Sequence, residues 1–123
     1  MDLYELQLLD APDVAEEPFC AVCGRPASDR HHVIVRGIGG HPAEVERRIP
    51  VIRLCGRGNT SGCHGLAHER RLQLWWDGQR WLYRVGEPMT LQEAVEGHLG
   101  GFSELPGWRR QRRTVTFGRG EPP

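Results

Sequence analysis

The sequence predicts a small α+β domain stapled by a metal ion. A chain of 123 residues is one domain's worth of material, with a core thin enough that a metal would add needed stability. Its four cysteines fall into two pairs, Cys20 with Cys23 and Cys55 with Cys63. Short β-branched or aromatic runs, DRHHVIV, IPVIRLC and LQLWWDGQRWLYRVG, alternate with polar and helix-forming stretches.

Taken in order, DLYELQLLD is a short helix or strand and APDVAEEP an acidic linker, so residues 1–17 form an acidic N-terminal segment. A core over 18–71 begins with PFCAVCGRP, a knuckle closed by Gly24. DRHHVIV is its first strand, RGIGGHP a Gly-rich turn, AEVERR a brief polar segment and IPVIRLC its second strand, with Pro50 near the start. GRGNTSGC leads into HGLAHERR, a helix running to about Leu72, with His64 and His68 one turn apart on one face. Over 72–108 a hairpin turning at Asp77-Gly78, the preferred type I′ pair, precedes a short helix whose capping box is Thr90 with Glu93. Residues 109–123 read as a basic, partly flexible tail. There is no internal repeat.

The formal charge is zero, but residues 1–23 carry acidic and no basic side chains, leaving the remainder basic. Every basic residue is arginine. The acidic N-terminus has no basic n-region followed by an apolar run, which argues against a secretion signal. No apolar segment approaches the ~20 residues that cross a bilayer. The expected setting is cytoplasmic and reducing, where four cysteines are metal ligands more often than disulfides.

Cys20 and Cys23 bracket two residues, as ligands of tetrahedral Zn²⁺ do. Cys55 and Cys63 bracket seven, a longer interval that Gly56, Gly58 and Gly62 would let fold back. Four ordinary thiols are the bland alternative; against it, Gly follows Cys23 and Cys55, and histidines lie close to both pairs. A redox C-x-x-C is disfavoured because no βαβ pattern surrounds it. A four-sulfur zinc site is closed and structural, so any chemistry falls to the histidines.

His31 and His32 are neighbours on a strand and point to opposite faces. If the following helix packs across the strands, His31, His64 and His68 converge as an open three-nitrogen metal site. His32 is then left facing substrate, and an imidazole's ordinary pKa of about 6.5 suits a general base. Taken singly, HH before a strand and histidines four apart are weak signals; His41 and His98 read as ordinary surface or core residues.

The run CAVC, DRHHVIVRGIGG, IPVIRLC and CHGLAH, spanning about residues 18 to 71, resembles the HNH endonuclease family in content and order. That resemblance implies a ββα-metal (His-Me finger) fold, a hairpin and helix around one divalent cation. By position it implies that Cys20, Cys23, Cys55 and Cys63 hold a structural zinc, that His31, His64 and His68 hold the catalytic ion (Mg²⁺, Mn²⁺, Ni²⁺ or Zn²⁺), and that His32 is the base. It also implies phosphodiester hydrolysis in DNA, double-stranded first, of the kind phage and bacterial members carry out. The chain departs from the family pattern at Pro50, which stands where the family's orienting Asn usually sits, with Asn59 as a candidate substitute; the long second knuckle is a further departure.

Arg30 and Arg36 flank the histidines, Arg70 and Arg71 close the helix, and Arg109, Arg110, Arg112 and Arg113 form a dense run. All could grip backbone phosphates, or be a solvated surface. Trp75, Trp76 and Trp81 read as hairpin core rather than base-stacking surfaces, with a cation–π contact between Trp75 and Arg80 conceivable across the turn. Two further functions stay open: a zinc-stabilised nucleic-acid- or protein-binding module with a degenerate centre, favoured by Pro50, and a protein-interaction domain without nucleic acid, favoured by zero net charge.

Overall fold

The computed structural model describes residues 1–15, 18–34, 40–58 and 60–118. They form a small mixed α+β structure with two antiparallel sheets and a four-cysteine cluster. Helix α1 (Leu3–Leu8) starts at a capping box: Asp2 Oδ1 accepts from the Glu5 N–H at 2.8 Å, and Glu5 Oε1 accepts from the Asp2 N–H at 3.2 Å. Its buried Leu8 points into the core while Leu3 and Leu6 stay exposed.

Strand β1 (Asp29–His32) pairs antiparallel with β2 (Val51–Leu54), with His31 opposite Ile52 and His32 opposite Val51. The expected strand is shortened: Val33 and Ile34 leave the ladder, and Val35 lies outside the described residues. Between the strands AEVERR contributes a single-turn helix, α2 (Ala43–Glu46). Val14 bridges parallel to Ile52 on the open edge of β2, exchanging bonds of 2.9 Å with Val51 and Arg53, and Asp13 Oδ1 accepts from the Val51 N–H at 2.8 Å. The described part of the acidic linker is therefore a staple along β2. A two-stranded ribbon of this length is marginal alone, which makes that third segment important.

Helix α3 (Gly62–His68) follows β2 and packs on both β2 and the next strand. It ends earlier than the expected Leu72. Arg70 takes a left-handed conformation, φ 62°, which no helix can continue through, and Leu72 already opens β3.

Strands β3 (Leu72–Trp76) and β4 (Trp81–Val85) form the expected hairpin, but Trp76 pairs with Trp81, so four residues turn the chain rather than a two-residue type I′ loop. Asp77 decides this: its Oδ1 accepts from the Gln79 and Arg80 N–H groups at 2.8 and 2.9 Å. Trp75 consequently faces Leu82, and Arg80 sits instead on Asp77 and Glu104, each at 3.5 Å. A third strand, β5 (Ser103–Glu104), joins β4 after α4 (Leu91–His98), whose Thr90–Glu93 capping box is formed. Trp81 is the fully buried pivot of the hairpin: its indole N–H donates to Pro12 O at 2.8 Å, and Trp76 lies between it and Trp108 at ring distances of 5.7 and 5.3 Å.

Residues 106–118 form α5 (Pro106–Gly118), so most of the segment expected as a loose basic tail is helical. Pro106 suits its first turn, where a missing N–H costs nothing. The Gly107 N–H donates to Ala21 O at 2.8 Å, docking α5 on the first cysteine knuckle. A Cβ at Gly107 would fall 2.7 Å from Ala21, so glycine is required for that approach. Among the described residues no helix is long and apolar enough to cross a membrane.

Candidate metal centres

The first knuckle is folded by its own backbone. Cys20 N–H donates to Arg25 O at 2.7 Å, Gly24 N–H donates back to Cys20 O at 3.0 Å, and Ala21 N–H ties the turn to Arg53 O of β2 at 2.9 Å. Cys55 leaves β2 directly and Cys63 sits in the first turn of α3. The long interval between them closes because two glycines meet: a Cβ on Gly56 would lie 2.0 Å from Ser61 O, and one on Gly62 2.5 Å from Cys55 O. Both have positive φ, 119° and 61°. Gly62→Ala is accordingly expected to cost about 2 kcal/mol or more, from left-handed strain plus the clash. Its thermal midpoint should fall by roughly 10 °C, with weaker binding of zinc added to the protein. Gly24→Ala, whose Cβ would meet nothing within 4 Å, should cost less; equal losses would remove the argument from close approach.

The four sulfurs of Cys20, Cys23, Cys55 and Cys63 lie within 4.8 Å of one another. Cys23 Sγ and Cys55 Sγ are 3.6 Å apart, close to the ~3.8 Å of two sulfurs each ~2.3 Å from a tetrahedral zinc. The Cys63 thiol donates to Cys20, and with the N–H groups of Cys23, Cys55 and Val22 this draws the Cys20 pKa down to about 4. The same bond raises that of Cys63, and partial desolvation of its sulfur raises that of the otherwise exposed Cys23. A thiolate at Cys20 is thus favoured by the fold, and ionisation of Cys23 and Cys63 beside it is disfavoured. A divalent cation is what lets all four ionise, so the cluster could bind a metal ion such as zinc.

A second group is formed by His31 from β1 and His64 and His68 from α3, again with ligand atoms within 4.8 Å. Ring centroids are 5.2, 5.5 and 4.8 Å apart for the pairs 31–64, 31–68 and 64–68. The Nε2 atoms of His64 and His68 face each other at 3.1 Å; two nitrogens ~2.1 Å from one ion lie about 3.0–3.4 Å apart, depending on coordination angle. Burial, then the neighbouring imidazoles, pushes the His31 pKa down to about 3. Burial also lowers that of His68. Both are therefore neutral near pH 7 and hold the lone pairs a metal needs.

The pH consequence has a definite sign. His31 protonates near 6.5 when unfolded and near 3 when folded, so between these values the unfolded chain binds more protons. Its stabilising contribution is complete above about pH 6.5 and is lost as pH falls toward 3, with a slope up to ~1.4 kcal/mol per pH unit. Denaturant titrations from pH 7 to 4 should show a shallower dependence for His31→Gln than for wild type; parallel curves would contradict the buried neutral imidazole.

Of the other predicted site residues, His32 is exposed beside buried His31, on the opposite side of the strand. Arg36 and Asn59 lie outside the described residues. Pro50 is buried, and its carbonyl accepts from the Val33 N–H at 3.1 Å. Arg30 is exposed on β1; Arg70 and Arg71 are exposed after α3, Arg71 within 3.5 Å of Glu69. Arg109 and Arg112 pair with Glu104 at 3.4 and 3.1 Å, Arg110 donates to Cys20 O at 3.3 Å, and Arg113 is exposed. The dense basic run is thus partly spent on fixing α5 to β5 and to the knuckle.

The sequence reading passed over Asp29. Its Oδ2 lies 3.0 Å from His64 Nδ1 and accepts from the Gly58 N–H at 2.7 Å. The available signal was the strand period, which places Asp29 on the same face as His31.

No protein-family model, no curated protein and no solved structure matches the chain. Residues and geometry alone therefore carry a functional reading.

Proposed function

We propose that the protein is a metal-dependent DNA endonuclease of HNH type, hydrolysing phosphodiester bonds with His32 as general base. The observation that carries this reading is the convergence of three imidazoles, His31 from a strand and His64 and His68 from the next helix, with His32 exposed at the adjoining position. The chain order β1, β2, α3 and the neighbouring four-cysteine cluster also support it. A divalent ion held by His31, His64 and His68 supplies Lewis acidity toward a phosphate oxygen and its leaving group. The imidazoles favour a borderline ion such as Ni²⁺ or Zn²⁺ over Mg²⁺. His32, on the solvent side, accepts a proton from the attacking water. Arg30 on the same strand face as His32, with Arg70 and Arg71 after α3, offers exposed cations to the DNA backbone.

A second reading, a zinc-stabilised binding module without catalysis, is favoured by Pro50. That residue brings no side-chain amide to orient His32 and is instead buried just ahead of β2, its carbonyl accepting from the Val33 N–H. Supercoiled plasmid incubated with purified protein and Mn²⁺, Mg²⁺ or Ni²⁺ separates the two. Nicking abolished by His32→Ala supports the endonuclease; DNA retention on a gel without nicking in any metal supports the module.

A further inference from the structure

We propose that Asp29 is a positioning residue: it holds His64 as the Nδ1-protonated tautomer, aiming Nε2 at the three-histidine centre, and fastens that imidazole to the loop between Cys55 and Cys63. This rests on the reading of His31, His64 and His68 as ligands of one ion.

The geometry is specific. One carboxylate oxygen, Oδ2, meets both His64 Nδ1 at 3.0 Å and the Gly58 N–H at 2.7 Å. An ionised carboxylate only accepts hydrogen bonds, so the ring nitrogen that meets Oδ2 is the one that bears the proton. The proton of a neutral His64 therefore belongs on Nδ1, and the lone pair on Nε2. That is the atom facing His68 Nε2 at 3.1 Å. Carboxylate partners of this kind fix ring orientation and raise ligand basicity at metal sites.

The second bond gives Asp29 a reach that an ordinary ligand partner lacks. Gly58 belongs to the loop whose ends are Cys55 and Cys63, closed by the Cys55 O bond from the His64 N–H at 3.0 Å. His64 is thus gripped at its backbone by one cysteine ligand's carbonyl and at its ring by a carboxylate anchored in the same loop. A zinc ion held by Cys20, Cys23, Cys55 and Cys63 would rigidify this loop, so the cysteine cluster and the histidine centre meet at Asp29.

The test uses the full chain carrying its cysteine-bound zinc, titrated calorimetrically with Ni²⁺, and the imidazole ¹⁵N shifts of His64 in Ni²⁺-free protein. Asp29→Ala should weaken Ni²⁺ binding about 10- to 100-fold and move His64 from the Nδ1–H form to a tautomer mixture, with zinc content unchanged. Asp29→Asn keeps an acceptor but no charge and should fall between, guarding against a variant that misfolds. Variants that bind Ni²⁺ like wild type, with His64 unaltered, overturn the positioning role and leave the ligand reading standing. Wild-type protein that takes up no Ni²⁺ overturns the ligand reading; the ¹⁵N shifts then still decide whether Asp29 sets His64.

Discussion

Cys20→Ser is expected to leave the chain without zinc and largely unfolded at 37 °C. The comparison of magnitudes is one-sided. A domain of this size has a net stability of about 5–15 kcal/mol, and a structural zinc contributes an apparent ~10–16 kcal/mol at neutral pH. Losing the ion can therefore consume the whole margin. Cys20 is also fully buried, in a core shared with Ile52 and Leu54, so the serine hydroxyl would add a desolvation cost of roughly 1–3 kcal/mol. Its backbone closes the first knuckle, which holds β2 through Ala21 and α5 through Gly107. The damage should reach the hairpin and α5 as well as the knuckle. Far-ultraviolet circular dichroism and elemental zinc measured on the same sample check this, and Cys23→Ser provides a graded control because Cys23 is exposed. A Cys20→Ser protein that keeps native dichroism and a normal melting midpoint without zinc would show that the apolar core suffices.

The parts of this architecture that were legible in the sequence are those encoded locally. Strand period placed His31 and His32 on opposite faces, helical period put His64 and His68 on one, and both hold. The Thr90–Glu93 box and the hairpin's aromatic core are equally local signals. Elsewhere distant contacts decided the outcome. The basic run at 109–113 reads as a solvated tail because arginines at that density carry no apolar stripe, yet Glu104, Ala21 and Trp76 supply the partners that hold it as helix. The linker before Pro18 has no strand pattern, but Val14 finds an open edge on β2. At Asp77 the turn type depended on a side chain accepting two backbone N–H groups, an alternative that the Asp-Gly rule does not weigh against its own. The four-cysteine cluster was readable from residue type; its closure through Gly56 and Gly62 needed the backbone path. Asp29 was missed because a lone carboxylate on a strand has no meaning until the loop bearing Gly58 folds over it.

His32→Ala is expected to reduce plasmid nicking by about 10²–10⁴-fold, the range for removing a positioned general base. The fold should be indifferent to it. His32 is exposed and contributes to the β1–β2 ladder through its backbone opposite Val51, which alanine retains. A surface substitution of this kind usually stays within about 0.5 kcal/mol, so the melting midpoint and zinc content should match wild type. Ni²⁺ affinity should also stay unchanged, because the centre's three nitrogens come from His31, His64 and His68. His64→Ala inverts the pattern. It removes one of the three proposed ligands, frees Asp29 from its ring partner and should lower Ni²⁺ affinity and nicking together. The pair of variants thus separates proton transfer from ion binding. If His32→Ala nicks plasmid at the wild-type rate while His64→Ala does not, the base is some other group and the role given to the exposed imidazole is wrong. If both variants nick normally, the hydrolysis does not arise at this centre.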